Sequence, residues 1–250
     1  MKRFFFSTLL LATAMLVRAQ TVDEVISKYV DAMGGKDKLN SIQSLHMVGI
    51  ATAPNGNEIT TDIWKVNNKL FRRSVNFGMG STTTLITDKG GWQTNFRNGG
   101  AFEAMQEAQL NGQLYELDCA GPLVDYAAKG HKAELLGKEA VDGKDAYKIK
   151  LTTKQGRELT YYIDATSNLI TKMTYKGRGR GQGQGGGQGQ GNAGTPQEVE
   201  IAVTYSKYEK TSDGYMFPFS QALSGGQGIT MTFEKIEVNP KVDDKLYKAE

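Results

Sequence analysis

"DAYKIKLTTKQGRELTYYID", residues 145–164, alternates with a period of two. Tyr147, Ile149 and Leu151 fall on one side, Lys148 and Lys150 on the other. "KQGRE" (154–158) is a turn, and "ELTYYID" (158–164) continues the pattern. Successive side chains of a strand point to opposite faces, so this reads as a hairpin with one dry and one wet face. The signature recurs on both sides. "EVEIAVTY" (198–205) sets Val199, Ile201, Val203 and Tyr205 on one side, and "ITMTFEKI" (229–236) does the same with Ile229, Met231 and Phe233. Nearer the N-terminus, "SLHMVGIAT" (44–52) and "EITTDIWKV" (58–66) flank "PNGN" (54–57), where Pro presets a turn and Asn-Gly favours a tight hairpin. "NNKLFRRSVNF", "STTTLITD" and "GWQTNF" follow at close spacing. The pattern predicts an antiparallel meander of about ten to eleven strands.

A dry face needs a cover, and two segments supply it. In "TVDEVISKYVDAMGG" (21–35), Val22, Val25, Ile26, Tyr29, Val30 and Met33 form one apolar helical stripe. Thr21 and Glu24 have capping-box spacing, Gly34 and Gly35 suit the end of the helix, and "KDKLNSI" adds a further turn. Residues 101–130 interrupt the strands. There Phe102, Met105, Leu110, Leu114 and Leu117 suggest short helices, and Pro122 starts another that ends at Gly130. The fold class expected is α+β: a curved antiparallel sheet covered by an N-terminal helix and a central helical lid.

The opening "MKRFFFSTLLLATAMLVRAQ" has a basic start, an apolar middle and small residues near Ala19, the layout of a cleaved secretory signal peptide. Its apolar run is shorter than the ~20 residues that span a bilayer. Without Lys2, Arg3 and Arg18, the 30 basic residues become 27, equal to the 27 acidic ones. The exported chain then has no global basic field for nucleic acid or anionic membranes. The lone cysteine, Cys119, has no internal disulfide partner and reads as a small buried hydrophobe.

Motifs that carry chemistry are scarce. His46 and His131 stand far apart, His46 reading as half-buried and structural and His131 as facing water. There is no HExxH, no Cys/His cluster, no GxSxG and no calcium loop. Asp142 with Asp145, and Asp243 with Asp244, read as solvated turn and tail carboxylates. No catalytic residue, metal or cofactor is expected. "GRGRGQGQGGGQGQGNAG" (177–194) lacks the Lys-Ser/Thr of a phosphate loop and the repeated Arg of an RNA-binding arm. Set between strand patterns, it reads as a long, flexible connection between neighbouring strands of one sheet. The aromatic set Trp64, Phe71, Phe77, Trp92, Phe96 and Phe102 reads either as core or as the lining of an apolar cavity between sheet and lids.

The order of elements resembles the LolA/LolB/LppX-like superfamily, and more narrowly the outer membrane lipoprotein-sorting proteins of Bacteroidetes type. The resemblance rests on "YVDAMGGKDKLNSIQSLHMVG" (29–49), "GPLVDYAAKGHKAELLGKEAVDGKDAYKIKLTTKQG" (121–156), "YYIDATSNLITKM" (161–173) and "EVNPKVDDKLY" (237–247). It implies a half-open LolA-like β-barrel closed by helices, formed by residues 20–250 as one domain with a flexible loop at 177–196. It implies a non-enzymatic periplasmic carrier for the acyl chains of lipoproteins or lipids, with a membrane-protein donor or acceptor in the envelope, and no nucleic-acid partner or membrane span. A protein-binding module of the same fold, a stress sensor or assembly factor, is the alternative. The family's basic residue ahead of an early turn matches Asn67 in "WKVNNKLFRRSV", with Lys65, Arg72 and Arg73 nearby, so that role is not carried over.

Overall fold

The computed structural model describes residues 20–53, 55–94, 99–178, 198–224 and 229–250. Phe96, and all but the first two residues of the 177–196 run, lie outside the described residues. The strands are β1 (Ser44–Thr52), β2 (Glu58–Val66), β3 (Leu70–Asn76), β4 (Ser81–Thr87), β5 (Gly90–Thr94), β6 (Phe102–Ala104), β7 (Lys132–Val141), β8 (Lys144–Thr152), β9 (Glu158–Asp164), β10 (Ile170–Arg178), β11 (Glu198–Lys210), β12 (Met216–Ser224) and β13 (Ile229–Val238). The helices are α1 (Val22–Ala32), α2 (Lys36–Asn40) and α3 (Glu107–Asn111), with single 3-10 turns at Leu114–Leu117 and Asp244–Tyr247.

All the strands join one antiparallel sheet, in the order β6-β5-β4-β3-β2-β1-β13-β12-β11-β10-β9-β8-β7. Among the described residues the strands number thirteen rather than ten to eleven. The strand at one edge, β6, is three residues long and too short to show a period. The sheet is open, with β6 and β7 as its two edges, so the half-open form holds and a closed barrel does not form. β10 and β11 are direct neighbours, with Arg178 opposite Glu198, so the Gly-rich run connects adjacent strands.

The sheet is strongly curved. Arg73 on β3 and Tyr175 on β10 are separated by six strand spacings. At about 4.8 Å each, these would hold them roughly 29 Å apart on a flat sheet. Yet the Arg73 charge acts directly on the Tyr175 hydroxyl. The two strands therefore face each other across a concave interior.

Register fixes which residues face inward. Leu45, Lys65, Phe71 and Ile86 stand opposite one another across β1 to β4. A second row, Leu135, Ile149, Tyr161, Met173, Val203, Leu223 and Ile229, crosses β7 to β13. Val25, Ile26, Tyr29 and Val30 of α1 cover the inner face at one end, together with Leu39, Ile42, Cys119, Leu123 and Val124. The Thr21 hydroxyl and the Glu24 carboxylate make the expected capping box. Gly34 and Gly35, at φ 119° and 93°, turn the chain into α2.

The central segment is less helical than its composition suggests. Phe102 belongs to β6, and residues 122–130 form a chain of turns rather than a helix. Gly121 and Asp125 have φ of 89° and 50°, which no continuous helix accepts. The Asp125 carboxylate is held in place by Lys36 at 2.6 Å and Asn40 at 2.9 Å, which hold it below the usual carboxylate range. Tyr126 donates to Asp23 at 2.6 Å, tying this segment to α1.

Candidate functional site

The inner face is not evenly covered. Along the row that crosses β8 to β12, Ile149 is 0 % exposed, Tyr161 5 %, Met173 8 % and Leu223 48 %. Val203, between Met173 and Leu223, is half-buried, as are Ile201, Tyr205, Ile229 and Met231 on the same face. The lids seal one end of the interior and leave an apolar floor open at the other. Glycines let side chains lie flat on that floor. A Cβ on Gly49 would stand 2.8 Å from the Met231 sulfur, and one on Gly177 would stand 2.5 Å from Ile201 Cδ1.

Tyrosines form the wall between the sealed and open ends. Tyr29, Tyr115, Tyr161 and Tyr205 come from α1, the 3-10 turn, β9 and β11, and Tyr161 lies within electrostatic reach of the other three. Burial, first of all, raises every one of these phenols above its ordinary value, so all stay protonated at neutral pH. Tyr208 donates to the Ile170 carbonyl at 2.7 Å. The hydroxyls of Tyr29, Tyr115 and Tyr161 have no partner among the described residues and remain donors available to water or a ligand.

The central segment is held over this interior by polar contacts. Lys65, pointing inward from β2, donates to the Asp118 carbonyl at 3.2 Å and lies 3.5 Å from Glu116. Asp118 pairs with Lys129 at 2.6 Å, and Asn67 accepts from the Cys119 amide at 3.2 Å. Cys119 is 7 % exposed, and burial pushes its thiol up to about 11.

Of the six aromatic residues singled out from the sequence, the five that are described do not come together. Phe71 faces inward and is buried. Phe77 follows β3 at its hairpin and is half-buried. Trp64, Trp92 and Phe102 lie on the outer face. Trp64 stands opposite His46 and stacks on it with centroids 3.8 Å apart, Trp92 stands opposite Leu85, and Phe102 lies under Arg72 at 5.6 Å. The C-terminal 3-10 turn crosses that face, where Arg72 donates to the carbonyls of Leu246 and Lys248. His46 sits between Asp62 and Glu237, at 3.0 Å from each, on this outer surface. His131 is half-buried and accepts from the Lys154 amide at 3.0 Å, and burial, more than nearby Lys129, lowers its pKa. The residues that shape the interior, Tyr115, Tyr175, Val203, Tyr205 and Met231, were missed as a site. The signal for four of them was strand parity, which sets Tyr175, Val203, Tyr205 and Met231 on the dry face.

Among solved structures, the chain is similar to a LolA superfamily protein from Nitrosomonas europaea, with a TM-score of 0.54 and 12% identity over 92% of this chain and 98% of that one. The chain has a LolA-like fold. A DUF1329 family protein from Desulfovibrio piger shares it, with a TM-score of 0.55 and 11% identity over 92% and 98% of the two chains. So does a domain of the outer membrane lipoprotein-sorting type from Vibrio parahaemolyticus, with a TM-score of 0.50 and 10% identity over 90% and 94%. No family model matches the chain, and no curated protein matches it by sequence. Among the described residues, no helix is long and apolar enough to cross a membrane, and no group of His, Cys, Asp and Glu is placed to hold a metal ion.

Proposed function

We propose that this protein is an exported, non-enzymatic carrier that shields acyl chains of a lipid or lipoprotein on the inner face of its half-barrel. One observation carries the reading: a continuous apolar row that runs from 0 % exposure at Ile149 to 48 % at Leu223 on the concave side of one sheet. A folded protein gains nothing by exposing a leucine of its own core row, whereas a chain laid along it is withdrawn from water. Each methylene so buried contributes ~0.8 kcal/mol, which makes a single acyl chain a reversible cargo. The fold it shares with a lipoprotein-sorting domain supports a place in outer membrane lipoprotein sorting, with an envelope membrane protein as donor or acceptor. In this reading residues 1–19 direct export, and residues 20–250 form one binding unit in the periplasm. Release requires the Lys65, Asp118 and Lys129 contacts of the central segment to open.

Titration with a dansyl-labelled fatty acid tests this. Saturable binding is expected, weakened at least tenfold by Leu223→Asp, a change at an exposed position that the fold tolerates. A dye that never saturates, or one indifferent to Leu223→Asp in a protein of unchanged melting temperature, overturns the reading.

A further inference from the structure

The concave face carries two guanidinium side chains that an acyl-chain carrier does not require, Arg73 exposed and Arg157 half-buried. Arg73 stands on β3 opposite Ile63, on the face of buried Phe71. Arg157 precedes β9 and lies over the Tyr175 ring at 4.8 Å. Neither side chain makes an ion pair or hydrogen bond with a described residue, and the Arg157 Nε is buried without an acceptor. A buried donor left unmatched is costly, and natural structures keep few of them. Glu116, whose charge also bears on Tyr175, is engaged by Lys65 at 3.5 Å. Arg73, Arg157 and Lys65 against Glu116 leave a local positive excess in a chain whose exported part is otherwise balanced. Tyr175 lies within the field of both arginines and opposite Ile201 on the apolar floor. Burial holds its phenol above the ordinary value, so it keeps its proton to donate.

We propose that Arg73 and Arg157, with the Tyr175 hydroxyl, form an anion subsite beside the apolar floor, and that the cargo is an amphiphile with an anionic phosphate or carboxylate headgroup. The inference rests on the carrier reading above. A guanidinium presents paired N–H donors that match a carboxylate or phosphate in two-point contact. The headgroup would take up the unmatched Arg157 Nε–H while its chain runs along Ile201 and Val203.

Displacement of a neutral fluorescent lipid from the exported chain, residues 20–250, separates the two ideas. Oleate and single-chain lysophosphatidic acid are compared with oleyl alcohol, and inorganic phosphate is run alone. The anionic lipids should bind at least tenfold more tightly than the alcohol, and the gap should narrow at high salt. Arg73→Gln with Arg157→Gln should remove the gap and leave alcohol binding unchanged, while Arg157→Lys, which keeps the charge, should retain part of it. Equal binding of oleate and oleyl alcohol overturns the subsite and leaves the carrier standing. Saturable phosphate binding with no gain from a chain also overturns it, pointing to a free anion. If no lipid binds, both readings fall.

Discussion

Two leucines on the interior side of the sheet should respond to the same substitution in opposite ways. Leu123, in the central segment, is 2 % exposed within the core cluster, whereas Leu223, on β12, is 48 % exposed at the open end. Leucine to alanine removes the equivalent of three methylenes, ~2.4 kcal/mol of transfer free energy when fully buried. At the sealed end a cavity remains, which raises the cost of Leu123→Ala to ~3–5 kcal/mol. At Leu223 about half the transfer term applies and no closed cavity forms, so the cost is ~1 kcal/mol. For a chain of this size ~1 kcal/mol moves the melting temperature by ~2–4 °C, giving losses of ~6–20 °C and under ~5 °C respectively. Circular dichroism melts of both variants, paired with dansyl-fatty-acid titrations, check the contrast. Leu123→Ala should bind normally once folded, and Leu223→Ala should bind more weakly. Equal stability losses, or an unchanged affinity in Leu223→Ala, refute the division into a sealed core and an open binding floor.

The Asp164 carboxylate accepts from the amides of Thr166 and Ser167 at 2.9 and 2.7 Å, and the Ser167 amide in particular holds it below the usual carboxylate range. The folded value lies below the unfolded ~3.9, so its contribution is present above that pH and is lost as pH falls through the folded value. Asp164→Ala should cost ~1–2 kcal/mol near neutrality, and acid titration of stability should be flatter in the variant, which a urea series from pH 7 to 2.5 reads. With its thiol pushed up to about 11, Cys119 should resist Ellman's reagent in the native protein at pH 8, where ~0.1 % is thiolate, and react fully in urea; fast native labelling would contradict its burial. Replacing residues 181–194 by Asn-Gly should leave melting temperature and fatty-acid binding within error, because Arg178 and Glu198 already pair at that end of β10 and β11; lost binding in a folded deletion would give the run a role.

Most of the architecture was legible because it rests on local rules. The Thr21–Glu24 box, the stripe from Val22 to Met33, and the Gly34-Gly35 stop need only neighbours in sequence. Strand parity placed Tyr147, Ile149 and Leu151 on one face correctly, and likewise Val199 to Tyr205. The same rule applied to "EITTDIWKV" separates Ile59 and Ile63 from Trp64, so the outward placement of Trp64 was readable and grouping by aromatic type obscured it. Other features depend on contacts remote in sequence. The left-handed Asp125 that breaks the expected helix after Pro122 is held by Lys36 and Asn40, more than 80 positions away. The Arg73 charge reaches Tyr175 only because the sheet curls, and no window of sequence contains that curvature.

The central claim is that the open end of the interior exists to hold an acyl chain. Native mass spectrometry of the protein purified from its own host, without detergent, tests this most directly. A bound species of single-chain lipid or acyl-peptide mass is expected, which organic extraction removes and which shows an anionic headgroup on fragmentation. Only the bare protein mass across independent preparations, from a protein that also fails to take up added fatty acid, would contradict it.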